Sequence, residues 1–371
     1  MRLALIALVA AACGDPDPTM TSDAPTSDSA ADAAAPAHLV AYVSGYGPNI
    51  AWFDLDQASG ALAPVSTIAA FAASPSFLAV SGLHLYAVSE ATSRVGAYTI
   101  DPASGGLTFI NDVAAGGSGP AHVSVDRTGS FVLVANYGDG TVSVLPVRTD
   151  GGLAAATQTI DLGTNAHQIL TDPTNHFVLV PCKGSDYVAQ LTFDPATGAL
   201  AANSVPHLAT AAGAGPRHLA FAPDGAHAYL INELDSTLVA LTYDAGTGRL
   251  ATVQTVSTRA AGAVGTNTGA EVWVHPSGKW VYGSNRGDNT LATFAIEAGT
   301  GRLSLVGHTP TGGATPRDFT LDPTGRWLHA ANQGSNTVIA FGIDATTGLP
   351  APTGAQLTAA MPSFVGFVAL P

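Results

Sequence analysis

Apolar residues in this chain come in short runs, and no stretch repeats them convincingly at the period of an amphipathic helix. "HLVAYVSG", "NIAWFDLD" and "PSFVGFVAL" are typical: rich in Val, Leu, Tyr, Phe and Thr, and bounded by Gly, Pro, Asn and Asp. Such runs predict strands joined by tight turns. "GPRHLAFAPDGAHAYLINE", Gly215 to Glu233, reads as one antiparallel hairpin folded at "PDGAH". Taking Gly225 as its centre places Arg217 opposite Glu233 at the open end. Taken alone, that is a cross-strand ion pair of roughly 0.2–1 kcal/mol.

A turn signal recurs along the chain: "QASGAL", "PASGGL", "TDGGL", "PATGAL", "AGTGRL" twice, and "ATTGL". Its leucines are Leu62, Leu107, Leu153, Leu200, Leu250, Leu303 and Leu349, at intervals of 45, 46, 47, 50, 53 and 46 residues. Repeats of this length, each with room for four short strands, predict an all-β fold: a seven-bladed β-propeller of four-stranded antiparallel blades. The ends fit ring closure. The first repeat enters at what would be a blade's second strand, and "PSFVGFVAL" is a first strand without successors. Pairing the two within one blade removes an exposed edge and clasps the ring.

Aligning the inner hairpins on their turn glycines brings the scarce charges into register. Eight residues before the glycine (Asn175 in the second hairpin) stand Ala121, His167, Arg217, Ala270 and Arg317; seven before stand His122, Gln168, His218, Glu271 and Asp318. Seven after come Asn136, Cys182, Asn232, Asn285 and Asn332, and eight after come Tyr137, Lys183, Glu233, Arg286 and Gln333. Glu90 takes the last position in the shorter first hairpin. All four classes sit at strand ends on one face of the ring, where side chains converge on a central channel. Polar groups converging in a concavity make a candidate site. The recurring asparagines also suit backbone hydrogen bonding in the loops.

"GPRHLAFAPDG", "ANYGDGTVSV", "AHQILTDPTNHFVLV", "EVWVHPSGKWVYGSNRG" and "PRDFTLDPTGRWLHAANQGSNTV" resemble the seven-bladed lactonase family, over nearly all of 38–371. Its members include a bacterial 6-phosphogluconolactonase and a fungal carboxymuconate-lactonizing enzyme. The resemblance implies hydrolysis of a lactone at the channel mouth. By matching motifs it implies a site of His167, Arg217, Glu233 and Arg286, the four residues that the register also brings together. His167 would serve as acid or base, with an ordinary pKa near 6.5. Arg217 and Arg286 would hold a carboxylate or the oxyanion by forked hydrogen bonds. Glu233, its pKa lowered by Arg217, would orient that guanidinium or a water. His122, His218, Glu271, Arg317, Tyr137 and Asn136 complete the expected substrate-binding set. The chain departs from the family in Cys182–Lys183 of "VPCKGSD" and in Asp288 of "SNRGDN".

Charge and composition narrow the partners. Net charge is −14 with thirteen Lys and Arg, which argues against nucleic acid and anionic membrane surfaces. The scattered histidines show no metal-ligand spacing, so neither metal nor cofactor is expected. Residues 1–12 read as an export signal, Cys13 as a lipidated bacterial lipoprotein terminus, and 13–37 as an unstructured tether. The expectation is therefore an exported, monomeric lipoprotein, held at a membrane only through its lipid and acting on a small lactone. Cys182, the only other cysteine, reads as an inert thiol. The alternative is a surface-tethered propeller without activity that binds a protein or a glycan, since a fold does not dictate a function.

Overall fold

The computed structural model describes residues 38–371; the expected leader 1–12, lipidation at Cys13 and tether 13–37 lie outside the described residues. Seven sheets of four antiparallel strands each form the blades. The closing blade runs in the order Pro362–Leu370, His38–Gly45, Asn49–Leu55, Leu62–Ala69. The last strand pairs with the first from His38↔Leu370 to Gly45↔Pro362, so the ring closes by the predicted exchange of termini.

The apolar runs become strands because both their faces are covered. Phe131–Asn136, His227–Asn232 and Trp280–Asn285, each second in its blade, are buried along their whole length. Outermost strands such as Leu62–Ala69 and Pro350–Thr358 are largely exposed, and their sequences are correspondingly mixed. The recurring turn has a packing role. Tyr42, Tyr86, Tyr229 and Tyr282 donate their hydroxyls to the carbonyls of Gly105, Gly151, Gly301 and Gly348, each in the outer turn of a neighbouring blade. Asn111, Gln158 and Gln254 clamp the backbones of Leu153, Leu200 and Leu303 with both ends of their amides. The repeat is thus the joint between blades, satisfying polar groups that burial would otherwise leave unpaired.

The hairpin register departs from simple counting. Pro216 pairs with Asn232 and His218 with Ile231, leaving Arg217 as an extra residue, and the N–H of Glu233 donates to Gly215 O at 2.7 Å. Arg217 therefore does not face Glu233 across the ladder; it sits in a β-bulge. The same one-residue shift occurs between Pro75 and Phe77, Pro120 and His122, Gly269 and Val272, Pro316 and Asp318, and in the closing pair at Ser44/Gly45. In the remaining blade, Ala166↔Cys182 and Leu170↔Leu179 differ by the same step. Six of these strands are entered through a residue with φ between 41° and 66°: Ser74, Gly119, Asn165, Gly215, Thr315 and Met361. Left-handed entry followed by an unpaired residue turns that residue's side chain out of the ladder, as bulges beside functional sites commonly do.

Candidate active site

The bulges deliver Ser363, Ser76, Ala121, His167, Arg217, Ala270 and Arg317, one from each blade. Above them lies a second ring, the residues that follow each second strand: Tyr46, Glu90, Tyr137, Lys183, Glu233, Arg286 and Gln333. Below comes a third: Phe364, Phe77, His122, Gln168, His218, Glu271 and Asp318. These rings together form the mouth and the floor of the channel.

Glu233 is the electrostatic centre of the mouth. Lys183 Nζ lies 2.6 Å from its Oε1, Arg286 Nη2 3.1 Å from Oε1, and Arg217 Nε 3.3 Å from Oε2. Burial alone would raise the Glu233 pKa, but the three cations outweigh it and hold it at about 2. Arg217, with its side chain only 4% exposed, is pushed down to about 10 by burial and by Arg286 and Arg317 nearby. Both guanidiniums also donate to backbone carbonyls, Arg217 to Ala270 O of the next blade at 2.5 Å and Arg286 to Gly269 O of its own blade at 3.0 Å. Gly269 lets the preceding blade pack close, because a Cβ there would lie 2.6 Å from Asn232 O. Arg317 donates to Tyr46 Oη at 2.8 Å and lies over its ring, while Tyr46 donates to Glu90 at 2.7 Å. The mouth therefore gathers four cations, Lys183, Arg217, Arg286 and Arg317, against two carboxylates, Glu90 and Glu233.

His167 lies beneath this group, its ring 5.5 Å from Tyr137 and 5.0 Å from His218. Its Nδ1 is buried without a partner. Burial, then Arg217, His218 and Arg317, hold its pKa well below the ordinary value, so the imidazole is neutral at pH 7, against the near-6.5 expectation. A space of about 10 Å3, bounded by His167, Arg217, Arg317, Ser76 and Ser363, has room for about one water. Arg286 faces a separate cup of about 270 Å3 with Thr266, Asn267, Thr268 and Thr315. Arg259 fixes that cup's wall, binding Asp288 through two bonds of 2.8 Å and the carbonyls of Val264 and Gly265.

The lactonase family model, described as a seven-bladed β-propeller, matches residues 37–367. The chain belongs to that family. A 6-phosphogluconolactonase of Pectobacterium carotovorum subsp. carotovorum (strain PC1) is 36% identical over 200 residues, 54% of this chain and 60% of that protein. The chain thus spans less than two thirds of the curated relative's length in that match. A periplasmic gluconolactonase of Pseudomonas aeruginosa superposes with a TM-score of 0.83 at 30% identity, covering 90% of this chain and 100% of that one. A Lactobacillus plantarum protein does so at 0.81 and 32%, covering 89% and 99%.

Within this lactonase-family propeller the four motif residues come together, but not around one solvent-filled pocket. His167 and Arg217 line the inner space, Arg286 lines the cup, and Glu233 bridges the guanidiniums between them. Arg317 lines the inner space, and Tyr137 accepts from Lys183 at 3.1 Å. Asn136 is not at the mouth: it is fully buried, and its amide donates to Thr141 and Ser143. His122 lies one ring deeper, 4.3 Å from the Phe77 ring, and His218 and Glu271 form the floor. Cys182 is fully buried, which pushes its thiol up to about 12 and fits an inert group. Two mouth residues were not foreseen. Lys183, a departure from the family motif, proves to be the cation nearest Glu233. Tyr46 belongs to a hairpin split between the termini, which has no turn glycine to count from.

Proposed function

We propose that the mouth hydrolyses a lactone bearing an anionic group, such as that of a phosphorylated sugar acid. The observation that carries this reading is the local reversal of charge: four cations gathered at one channel mouth, against two carboxylates, in a chain of net charge −14. Neutral His167 accepts the proton of a water held in the inner space. Arg217 and Arg317 stabilise the oxyanion as the water adds to the lactone carbonyl. The ring oxygen then leaves with a proton returned by His167. Arg286, which shares a Glu233 oxygen with Lys183, binds the anionic substituent at the cup, and the hydroxyls of Thr266 and Thr268 accept from or donate to sugar hydroxyls. Glu233 is a positioning residue that aligns three cations and touches no reacting atom. Support comes from family membership and from relatives named as a 6-phosphogluconolactonase and a periplasmic gluconolactonase. The test is acid release from sugar lactones with and without a phosphate, by the native chain and by Arg317→Ala. Loss of the preference for the phosphorylated lactone in Arg286→Ala would locate the anion at the cup.

The periplasmic relative also supports export of this chain. In this reading residues 1–12 are removed, Cys13 carries the lipid and the propeller acts as a tethered monomer. Mass spectrometry of the mature N-terminus checks this, and an unmodified terminus downstream of Cys13 would overturn it.

A further inference from the structure

On the far side of the third ring the channel reopens as a cavity of about 710 Å3, within the size range of small-molecule sites. Its walls are mostly apolar, with Val125, Leu170, Phe221, Phe367 and Trp273, the last 39% exposed. Its floor is different. Glu271 and Asp318 come from adjacent blades and hydrogen-bond each other there. Glu271 Oε1 accepts the N–H of Val272 at 3.1 Å, and Asp318 Oδ2 that of Val365 at 2.7 Å. Among the described residues neither carboxyl has a Lys or Arg ion-pair partner; the nearest such contact is His218 Nδ1, 2.7 Å from Glu271 Oε2. His218 is 1% exposed and lines the same cavity, and its Nε2 has no hydrogen-bond partner.

We propose that this cavity is a second binding site, taking a primary ammonium ion carried on a small apolar body. The two adjacent carboxyls repel one another when both are charged, so they hold a proton between them. An ammonium group supplies the positive charge in that proton's place, with donors for both carboxyls and for His218 Nε2. The apolar body then covers the valine, leucine and phenylalanine walls and the exposed Trp273. Burial pushes both carboxyls up, which fits a pair that shares a proton. The other charged groups around the floor do not occupy the site. Arg217 and Arg317 lie in the ring above and engage Ala270 O and Tyr46. His122 is held neutral by burial and the nearby His218. At the rim, Arg127 donates to Asp172 O, and Asp322 is committed to its own turn. A metal ion is a poorer occupant, because no group of three or more candidate ligands occurs among the described residues. The site is read separately from the lactone reading, because its cavity lies on the other side of the third ring from the mouth.

Calorimetry on the purified chain with hexylammonium, hexanol and hexanoate tests this. One hexylammonium should bind per chain and release a proton, read from the difference between buffers of unlike ionisation heat. Its affinity should rise with pH by up to about tenfold per pH unit while a proton is displaced. Hexanol and hexanoate should bind more than about thirtyfold more weakly. Asp318→Asn should abolish the preference for the ammonium, while Trp273→Ala, on the exposed wall, should weaken hexylammonium and keep its pH dependence. Equal binding of hexanol and hexylammonium, no binding of any probe at millimolar concentration, or an unchanged preference in a folded Asp318→Asn would overturn the proposal. Lactone hydrolysis by the same preparation is read separately, so failure of one reading does not mask the other.

Discussion

The two halves of the channel are built from the same seven innermost strands, one residue apart. At the bulge, Arg217 and Arg317 line a space of only about 10 Å3, and above it Arg217, Lys183 and Arg286 close on Glu233. One step along the same two strands, His218 and Asp318 line a cavity of about 710 Å3 whose floor is acidic. The bulge makes this division. An unpaired residue is free to turn toward the axis with a long charged side chain, whereas the residues after it are locked into the ladder and interdigitate as rings. The opposite charges also settle each other: Arg217 stands close enough to Glu271 to oppose the upward pull of burial on it.

Changes at the mouth should have the largest effects. On the proposed mechanism Arg217→Ala removes one of the two oxyanion donors, and should lower kcat/KM for an anionic lactone by about 10²–10³. Glu233→Gln breaks the comparison in another way. It leaves three cations facing one another in a buried site, and unpairing a buried charge costs about 3–5 kcal/mol. Thermal unfolding should fall accordingly and recover with added phosphate, which replaces the lost anion. Unmoved melting in Glu233→Gln would mean that the cations are already neutralised by solvent.

A smaller effect concerns pH. His167 must be unprotonated to accept a proton, and its pKa is lowered, so the acid limb of the kcat/KM profile should lie below pH 6.5. A limb at or above 6.5 would show that the imidazole is solvated in the working site. The smallest effect belongs to the floor. Asp318 has a raised pKa when folded, so its contribution to stability is intact below the unfolded value near 4 and declines as pH rises. Asp318→Asn should therefore melt higher than the parent at pH 8 and show little gain at pH 4.

These same residues show what the sequence could reveal. Leucines at near-constant spacing disclosed seven blades, because each turn docks on a neighbour and no blade can omit it. The split first hairpin disclosed the ring closure, now seen in the pairing of His38 with Leu370. The mouth residues were legible because they are charged in a chain with 11% charged residues. The bulge was not legible. Strands buried on both faces have no polar alternation, so a one-residue shift leaves no mark on their hydrophobic pattern. That hid the depth of each residue: His122 was placed with the mouth although it lies in the third ring, and Asn136 was placed there although it is buried in its hairpin. The far cavity was invisible for the same reason, because its walls read as ordinary strand.

The most direct test of the cation-lined mouth is the rate of acid release from a phosphorylated sugar δ-lactone, measured beside its unphosphorylated counterpart, with the native chain and Arg217→Ala at matched folded fraction. The expected result is hydrolysis by the native chain that favours the phosphorylated lactone, and a loss of about 10²–10³ in the variant with its fold intact. A folded native chain that opens neither lactone faster than water, or a folded Arg217→Ala that works as well as the parent, would contradict it.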